Sequence, residues 1–359
     1  MNCSLQLDMF LVVKDVLPVD SDMSSQNHRT IVCATMAVKT RTQPLLAESV
    51  ADIVLDSQVF AQMHKDRDGR KRPGKHGEHG QPGQPGRPGL PGSGSVDSLR
   101  GSIRSFISKN VNSRLPLALR LVFHSCVGST GCDGCINTAD KANTGLQTIY
   151  KDTINLWKSL GKPISFADFV VLLGTVAVEL GMSRKGGPGH RRLPFKTGRS
   201  ACKDPSNYRL SHKYHQGQDP NSLAFLMKEF KLSRNQAVAL MGAHSLGTCK
   251  ASVSGFVGPW DRTTTTLDNG FYLNLANTNF DIKKAPNGFT QWSKNGQMML
   301  HADMSLARNL KISSGQTPLC KTSNQCSASP DRNQVVKYAK DQKTWANDFQ
   351  TAFLKMVEH

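Results

Sequence analysis

The sequence predicts a mainly α-helical domain over residues 96–359. Three observations carry that expectation. Apolar residues recur at helical spacing at both ends of the stretch: Leu99, Ile103, Phe106 and Ile107 near its start, and Trp345, Phe349, Ala352, Phe353 and Met356 near its close. Ser165-Phe-Ala-Asp168 and Ser233-Arg-Asn-Gln236 have the form of capping-box starts, each running into an apolar segment. Few stretches alternate polar and apolar residues as half-buried strands do.

Taken in order, residues 1–68 are weakly patterned and read as poorly ordered. Asp8 and Lys14 interrupt the only apolar stretch near the start, so no clean signal-peptide core forms there. In residues 69–95 glycine recurs every third position, at Gly74, Gly77, Gly80, Gly83, Gly86, Gly89 and Gly92, with Pro82, Pro85, Pro88 and Pro91 just before a glycine. That is a collagen-like pattern, in which only glycine fits the axis of three polyproline-II chains. A short triple helix and a stiff extended spacer are both open readings. Ser93-Gly94-Ser95 reads as a flexible joint, after which the helical pattern begins. Phe169 to Leu180 is the longest apolar run, short of the roughly 20 residues a membrane span needs, and reads as a buried helix. Gly247 is a fitting stop for the helix that Ser233 opens.

The 359 residues could hold one large domain or two, and 38% hydrophobic content is enough to bury a core. The net charge of +18 makes anionic partners conceivable, but Lys and Arg are scattered without a nucleic-acid-binding motif. A solvated basic surface, with no nucleic-acid partner, is the plainer reading. Of nine cysteines, Cys126/Cys132 and Cys320/Cys326 are spaced for short-loop disulfides in an oxidising compartment. Cys132-Asp-Gly-Cys135 has zinc-like spacing as a rival reading, although no second such pair follows. The odd count leaves at least one thiol unpaired or joined to another chain.

Two segments carry chemistry. In Leu119-Arg-Leu-Val-Phe-His124-Ser-Cys126, Arg120 and His124 are four apart and share a helix face, with Phe123 beside them. Histidine can accept and return a proton near neutral pH, and arginine can stabilise a developing anion. In Ala239-Leu-Met-Gly-Ala-His244-Ser-Leu-Gly247, a histidine ends an apolar helix among Gly242, Ala243 and Gly247, small neighbours that let a flat ligand approach the backbone. His212 and His215 are spaced to bind a metal, but read as part of a solvated loop.

Together these two segments resemble the plant-type haem peroxidase superfamily, which includes ascorbate peroxidase, cytochrome c peroxidase and the secretory plant peroxidases. The resemblance covers roughly residues 96–359. Further matching segments follow in order: Ala142–Leu146, Ile164–Asp168, Pro194–Arg199, Gly258–Trp260, Thr266–Asn269, Met299–Leu306 and Val336–Phe349. It implies a two-lobed helical fold with haem b held between a distal and a proximal helix. His244 would ligate the iron, and Asp303 would accept a hydrogen bond from its other ring nitrogen. His124 would move the peroxide proton, Arg120 would stabilise the charge that develops as the O–O bond breaks, and Asn143 would orient His124. Asp168 and Arg199 would support the fold.

The departures narrow the expectation. Phe123 is the secretory type, whereas Trp260 stands where the intracellular class has its proximal tryptophan. Ser125 replaces the distal calcium-binding aspartate, which argues against a distal calcium despite Asp133. Ser245, Asp261, Thr263 and Asp268 offer oxygen ligands for a proximal calcium or potassium ion. Val253 replaces the ascorbate-binding arginine. The sequence therefore predicts an enzyme that reduces hydrogen peroxide with a small aromatic or protein electron donor rather than ascorbate. It would be extracellular, with self-association through the collagen-like segment. A non-catalytic matrix or adhesive protein reusing the fold is the alternative, and a basic polyanion-binding module a third.

Overall fold

The computed structural model describes residues 93–128, 131–204, 218–313 and 317–358. The collagen-like segment and the pair His212/His215 lie outside them.

The chain opens with α1 (Ser93–Ser108) and α2 (Val111–Cys126). After a 3₁₀ turn at Lys141–Asn143 come α3 (Gln147–Ser159) and α4 (Phe166–Ser183). Next are α5 (Ser222–Glu229) and α6 (Arg234–Met241), which continues as a 3₁₀ turn over Gly242–Ser245. The pair β1 (Thr248–Cys249) and β2 (Gly258–Pro259) brackets α7 (Ala251–Ser254). Then follow α8 (Gly270–Asn277), β3 (Asp281–Lys284), β4 (Thr290–Lys294), β5 (Gln297–Met299), α9 (His301–Met304), α10 (Arg332–Lys340) and α11 (Gln342–Val357). The expected mainly α domain is what forms.

The expected starts are present at atomic detail. Ser165 caps α4 by accepting the Asp168 backbone N–H at 3.0 Å, and Ser233 with Gln236 closes a reciprocal capping box on α6. The joint expected at Ser93-Gly94-Ser95 is instead helical backbone, because α1 already begins at Ser93. Glycine's helix penalty is about 1 kcal/mol, and the amphipathic stripe of Leu99, Ile103 and Ile107, all buried, offsets it.

Helix α4 is the central element. Among the described residues it is long and apolar enough to cross a membrane, yet 83% of it is buried inside the protein. Helix α2 lies across it so closely that a Cβ on Gly174 would sit 2.3 Å from Val122 Cγ1. Helix α1 is tied to α4 by an ion pair that the sequence did not announce. Arg100 reaches Glu179 at 2.5 Å and the Leu193 carbonyl at 2.9 Å, and Leu193 N–H donates to the same carboxylate at 2.8 Å. On the other side of the domain α11 packs against α6, and α10 against α8.

Strands β3, β4 and β5 form an antiparallel sheet in that order, with Ile282 opposite Trp292 and Trp292 opposite Met299. It was not expected. Gln297, Met298 and Met299 are all buried, so β5 shows no alternation, and β3 has a single apolar residue. The local signal was the turn: Asn295 and Gly296 both have positive φ, 50° and 77°, and join β4 to β5 as a two-residue primed hairpin loop. The sheet matters for the site because β5 runs directly into α9, which carries Asp303.

Disulfides join Cys126 to Cys132 and Cys320 to Cys326, the two short loops expected, and Cys135 to Cys202. Cys132 and Cys135 are therefore bonded in separate bridges, which removes the zinc reading.

Candidate active site

A cavity of about 420 Å³ is walled on one side by α2 and on the other by the end of α6 and its 3₁₀ turn. Its walls are largely apolar, from Pro116, Leu117, Leu240, Leu246 and Phe256, and no Asp or Glu among the described residues lines it. Both histidines predicted from the sequence do.

On the α2 side, helical spacing brings Arg120 Nε to 3.3 Å from His124 Nε2. His124 Nδ1 lies 2.8 Å from Asn143 Oδ1. The amide's own direction is fixed because its Nδ2 donates to the Asn137 carbonyl at 2.9 Å. Asn143 therefore presents its oxygen, His124 Nδ1 carries the ring proton, and Nε2 is the unprotonated nitrogen. Burial foremost, with Arg120's charge assisting, pushes the His124 pKa down to about 3, against the raising influence of Asn143 and Asp140. Two backbone carbonyls hold the guanidinium: Arg120 Nη1 donates to Thr144 at 2.9 Å and Nη2 to Ala142 at 3.0 Å. Sequence reasoning found Asn143 but missed these carbonyls on either side of it, since backbone groups carry no residue signature. Phe123 lines the cavity beside them and meets Phe230 edge-on at 5.9 Å.

On the opposite side His244 sits in the 3₁₀ turn after α6, and Gly247 (φ 90°) ends the segment. His244 Nδ1 donates to Asp303 Oδ1 at 2.7 Å, which leaves Nε2 as the free donor atom for a metal. The other oxygen of this fully buried carboxylate accepts Trp260 Nε1 and the Leu300 backbone N–H, both at 2.7 Å. Trp260 stacks on His244 with centroids 4.5 Å apart.

The small residues around His244 divide by role. Ala243 and Gly247 line the cavity, as expected. Gly242 does not: a Cβ there would lie 2.6 Å from Trp345 Nε1 and 2.9 Å from Tyr272 Cε2. Its smallness serves the approach of α11 and α8, not of a ligand.

Ser245, Asp261, Thr263 and Asp268 converge as a second, buried cluster. Ser245 Oγ donates to Asp261 Oδ2 at 2.8 Å and lies 3.2 Å from Asp268 Oδ1, while Thr263 Oγ1 donates to Asp268 Oδ2 at 2.8 Å. Burial, with Asp268 adding to it, pushes the Asp261 carboxyl up to about 6 against the hydrogen bonds from Ser245 and Thr263. Elsewhere, Asp168 accepts Arg199 Nη1 at 2.9 Å and Gly198 N–H at 2.8 Å, the structural pairing expected. Ser125 Oγ donates to the Val122 carbonyl inside α2, and Asp133 accepts the Cys135 N–H. Cys249 is the free thiol among the described residues, and burial pushes its pKa up to about 12, which disfavours the thiolate.

An imidazole whose Nδ1 proton is held by a carboxylate is the ligand chemistry of haem iron, and the apolar cavity beside it suits a flat macrocycle. Helical fold and site together define a haem-binding domain. Comparison with known proteins is more specific. The peroxidase family matches residues 99–315. The chain is 30% identical to L-ascorbate peroxidase 1, cytosolic, of Oryza sativa subsp. japonica, over 74% of this chain and 92% of that one. It is also 30% identical to a Candida albicans protein named "Putative heme-binding peroxidase", over 68% of this chain and 80% of that one. A third relative, the mitochondrial cytochrome c peroxidase of Candida glabrata, is 30% identical over 61% of this chain and 54% of its own length. The chain belongs to the peroxidase family. It is a haem peroxidase, an oxidoreductase that takes hydrogen peroxide as its acceptor.

Proposed function

We propose that Arg120, His124 and Asn143 form the peroxide-cleaving side of this enzyme, and that His244, Asp303 and Trp260 form the side that holds the iron. A haem held between the two sides would pass electrons to the peroxide as the O–O bond divides. His124 Nε2 would take a proton from one oxygen of the peroxide and deliver it to the other, which leaves as water. Arg120, positioned by two carbonyls, stabilises the negative charge on that departing oxygen. Asn143 keeps the Nδ1 proton in place, so Nε2 remains the basic atom throughout. On the other side His244 Nε2 would hold the iron, and the Asp303 carboxylate would make the ring a stronger electron donor.

One observation carries the reading. Both imidazoles are held through Nδ1, at 2.8 Å by Asn143 and 2.7 Å by Asp303, and both line the same cavity. The test is an absorption spectrum of the haem-loaded chain beside a peroxide-dependent donor assay. A Soret band that His244→Ala abolishes is expected, and a His244→Ala chain that keeps haem and activity refutes the assignment.

The electron donor in this reading is a phenol or a redox protein rather than ascorbate. Val253, which lines the cavity, offers no charge to an anionic donor, and Trp260 stacked on His244 gives electrons a route in. A donor panel in which ascorbate is much the best substrate overturns that part. The Ser245, Asp261, Thr263 and Asp268 cluster holds a calcium or potassium ion, since hard cations seek such oxygens. A melting temperature indifferent to both ions counts against it. The three disulfides among the described residues favour an oxidising, extracellular setting. There the collagen-like segment tethers or trimerises the enzyme, an arrangement that sedimentation of the full chain tests.

A further inference from the structure

Aromatic rings continue away from the cavity in an unbroken series that peroxide cleavage does not use. Phe271 meets the His244 ring edge-on, with centroids 6.1 Å apart. Tyr272 meets Phe271 at 5.0 Å, and Tyr338 of α10 meets Tyr272 at 5.2 Å. All three are fully buried. Electrons tunnel readily between rings this close, so the series is a conducting path from the iron-binding side into the body of the domain.

The two phenols differ in what their hydroxyls meet. A phenol gives up an electron easily only when its proton can leave with it, because the one-electron-oxidised phenol is a strong acid. Tyr272 Oη donates to the Val238 and Ala239 carbonyls at 2.6 and 3.0 Å, and a backbone carbonyl is too weak a base to keep a proton. Tyr338 Oη donates to Asp348 Oδ2 at 2.7 Å, with the Asn235 carbonyl 3.2 Å away. A carboxylate can keep the proton. Asp348 lies on α11 and is half-buried, so it can exchange that proton with solvent. At rest, burial and then Asp348 hold the Tyr338 phenol well above its ordinary value, and the proton stays on the ring.

The geometry points to Tyr338 as a protein radical site, with Asp348 as its proton acceptor and Tyr272 and Phe271 as the electron path. The inference rests on the iron-binding role given to His244. Peroxide reduction, the established activity, supplies the oxidant: one of the two electrons that reduce a peroxide molecule is drawn from Tyr338. The electron passes through Tyr272 and Phe271 toward His244, the phenolic proton moves to Asp348, and Tyr338 is left as a neutral radical beside a protonated carboxyl. An external donor then reduces the radical and the proton returns. The series thus stores an oxidising equivalent inside the chain when donors are scarce.

The test mixes the haem-loaded full chain with one equivalent of peroxide and no donor, freezes it, and records electron paramagnetic resonance. A tyrosyl signal is expected in the wild type, lost in Tyr338→Phe and in Asp348→Asn, and restored in Asp348→Glu. The Asp348 variants keep the Tyr338 ring, so they separate proton acceptance from packing. A tyrosyl signal that persists in Tyr338→Phe, or that never forms in the wild type, overturns the inference. If the Soret band and peroxide consumption are normal in that case, only this inference falls. If the wild type shows no Soret band, the His244 assignment falls with it.

Discussion

The Trp260 ring lies over the His244 ring with centroids 4.5 Å apart and planes 20° from parallel, and both rings donate to Asp303. One carboxylate thus sets the orientation of both. Asparagine offers one acceptor oxygen and one donor amide, so Asp303→Asn must leave either His244 Nδ1–H or Trp260 Nε1–H facing an N–H group. We expect the haem iron's reduction potential to rise as the His244 ring loses electron donation. Loss of such a supporting partner costs activity by about 10- to 100-fold. Spectroelectrochemical titration of the haem-loaded chain checks this, and an unchanged potential would contradict it.

Asn143 plays the corresponding part for His124, 2.8 Å from Nδ1. Asn143→Val removes the acceptor without adding charge, which frees the imidazole to rotate and to protonate at Nε2 instead. The bimolecular rate with peroxide, followed by stopped-flow absorbance, should fall by about 10- to 100-fold. Arg120 remains held by Ala142 and Thr144, so haem binding itself should survive.

His124 also ties stability to pH. Its folded pKa, about 3, lies below the ordinary 6.5, so below pH 6.5 the unfolded chain binds a proton that the folded chain refuses. The stabilisation is fully present above pH 6.5 and is lost as pH falls from there toward 3. A tenfold difference in proton affinity is worth about 1.4 kcal/mol, so the loss across this window is about 5 kcal/mol at most. Denaturant melts of the haem-free chain between pH 7 and 4 measure it. His124→Leu should flatten this part of the profile, and an equally steep loss in that variant would sink the assignment.

Gly242 is a packing position. A Cβ there would lie 2.6 Å from Trp345 Nε1 and 2.9 Å from Tyr272, both fully buried and unable to give way cheaply. Gly242→Ala should destabilise the fold by about 1–3 kcal/mol, the usual cost of overpacking a core. Because Gly242 does not line the cavity, the haem spectrum of the folded fraction should be unaltered. A wild-type melting temperature would show that α11 can shift after all.

The sequence by itself determined the elements that are locally encoded. Ser165 and Ser233 mark their helix starts through side chain-to-backbone bonds spanning three residues, and Arg120 meets His124 because four residues make about one helical turn. The short disulfides were legible for the same reason, whereas Cys135–Cys202, separated by 67 residues, was not. The hairpin was legible only at Asn295-Gly296, because neither flanking strand alternates: β5 is buried throughout, and β4 buries the neighbours Gln291 and Trp292.

The pairing of the site was decided by the tertiary structure. Asp303, which only the family resemblance linked to His244, lies 59 residues away, and β5 delivers it there through a sheet whose strands showed no alternation. The carbonyls of Ala142 and Thr144 and the amide direction of Asn143 are backbone and rotamer choices, invisible in residue identity yet responsible for which nitrogen of His124 is basic. Gly242 is the converse case. Its identity pointed to a ligand, but the packing of α11 and α8 decided that it faces Trp345, since a missing Cβ does not say from which side its space is filled.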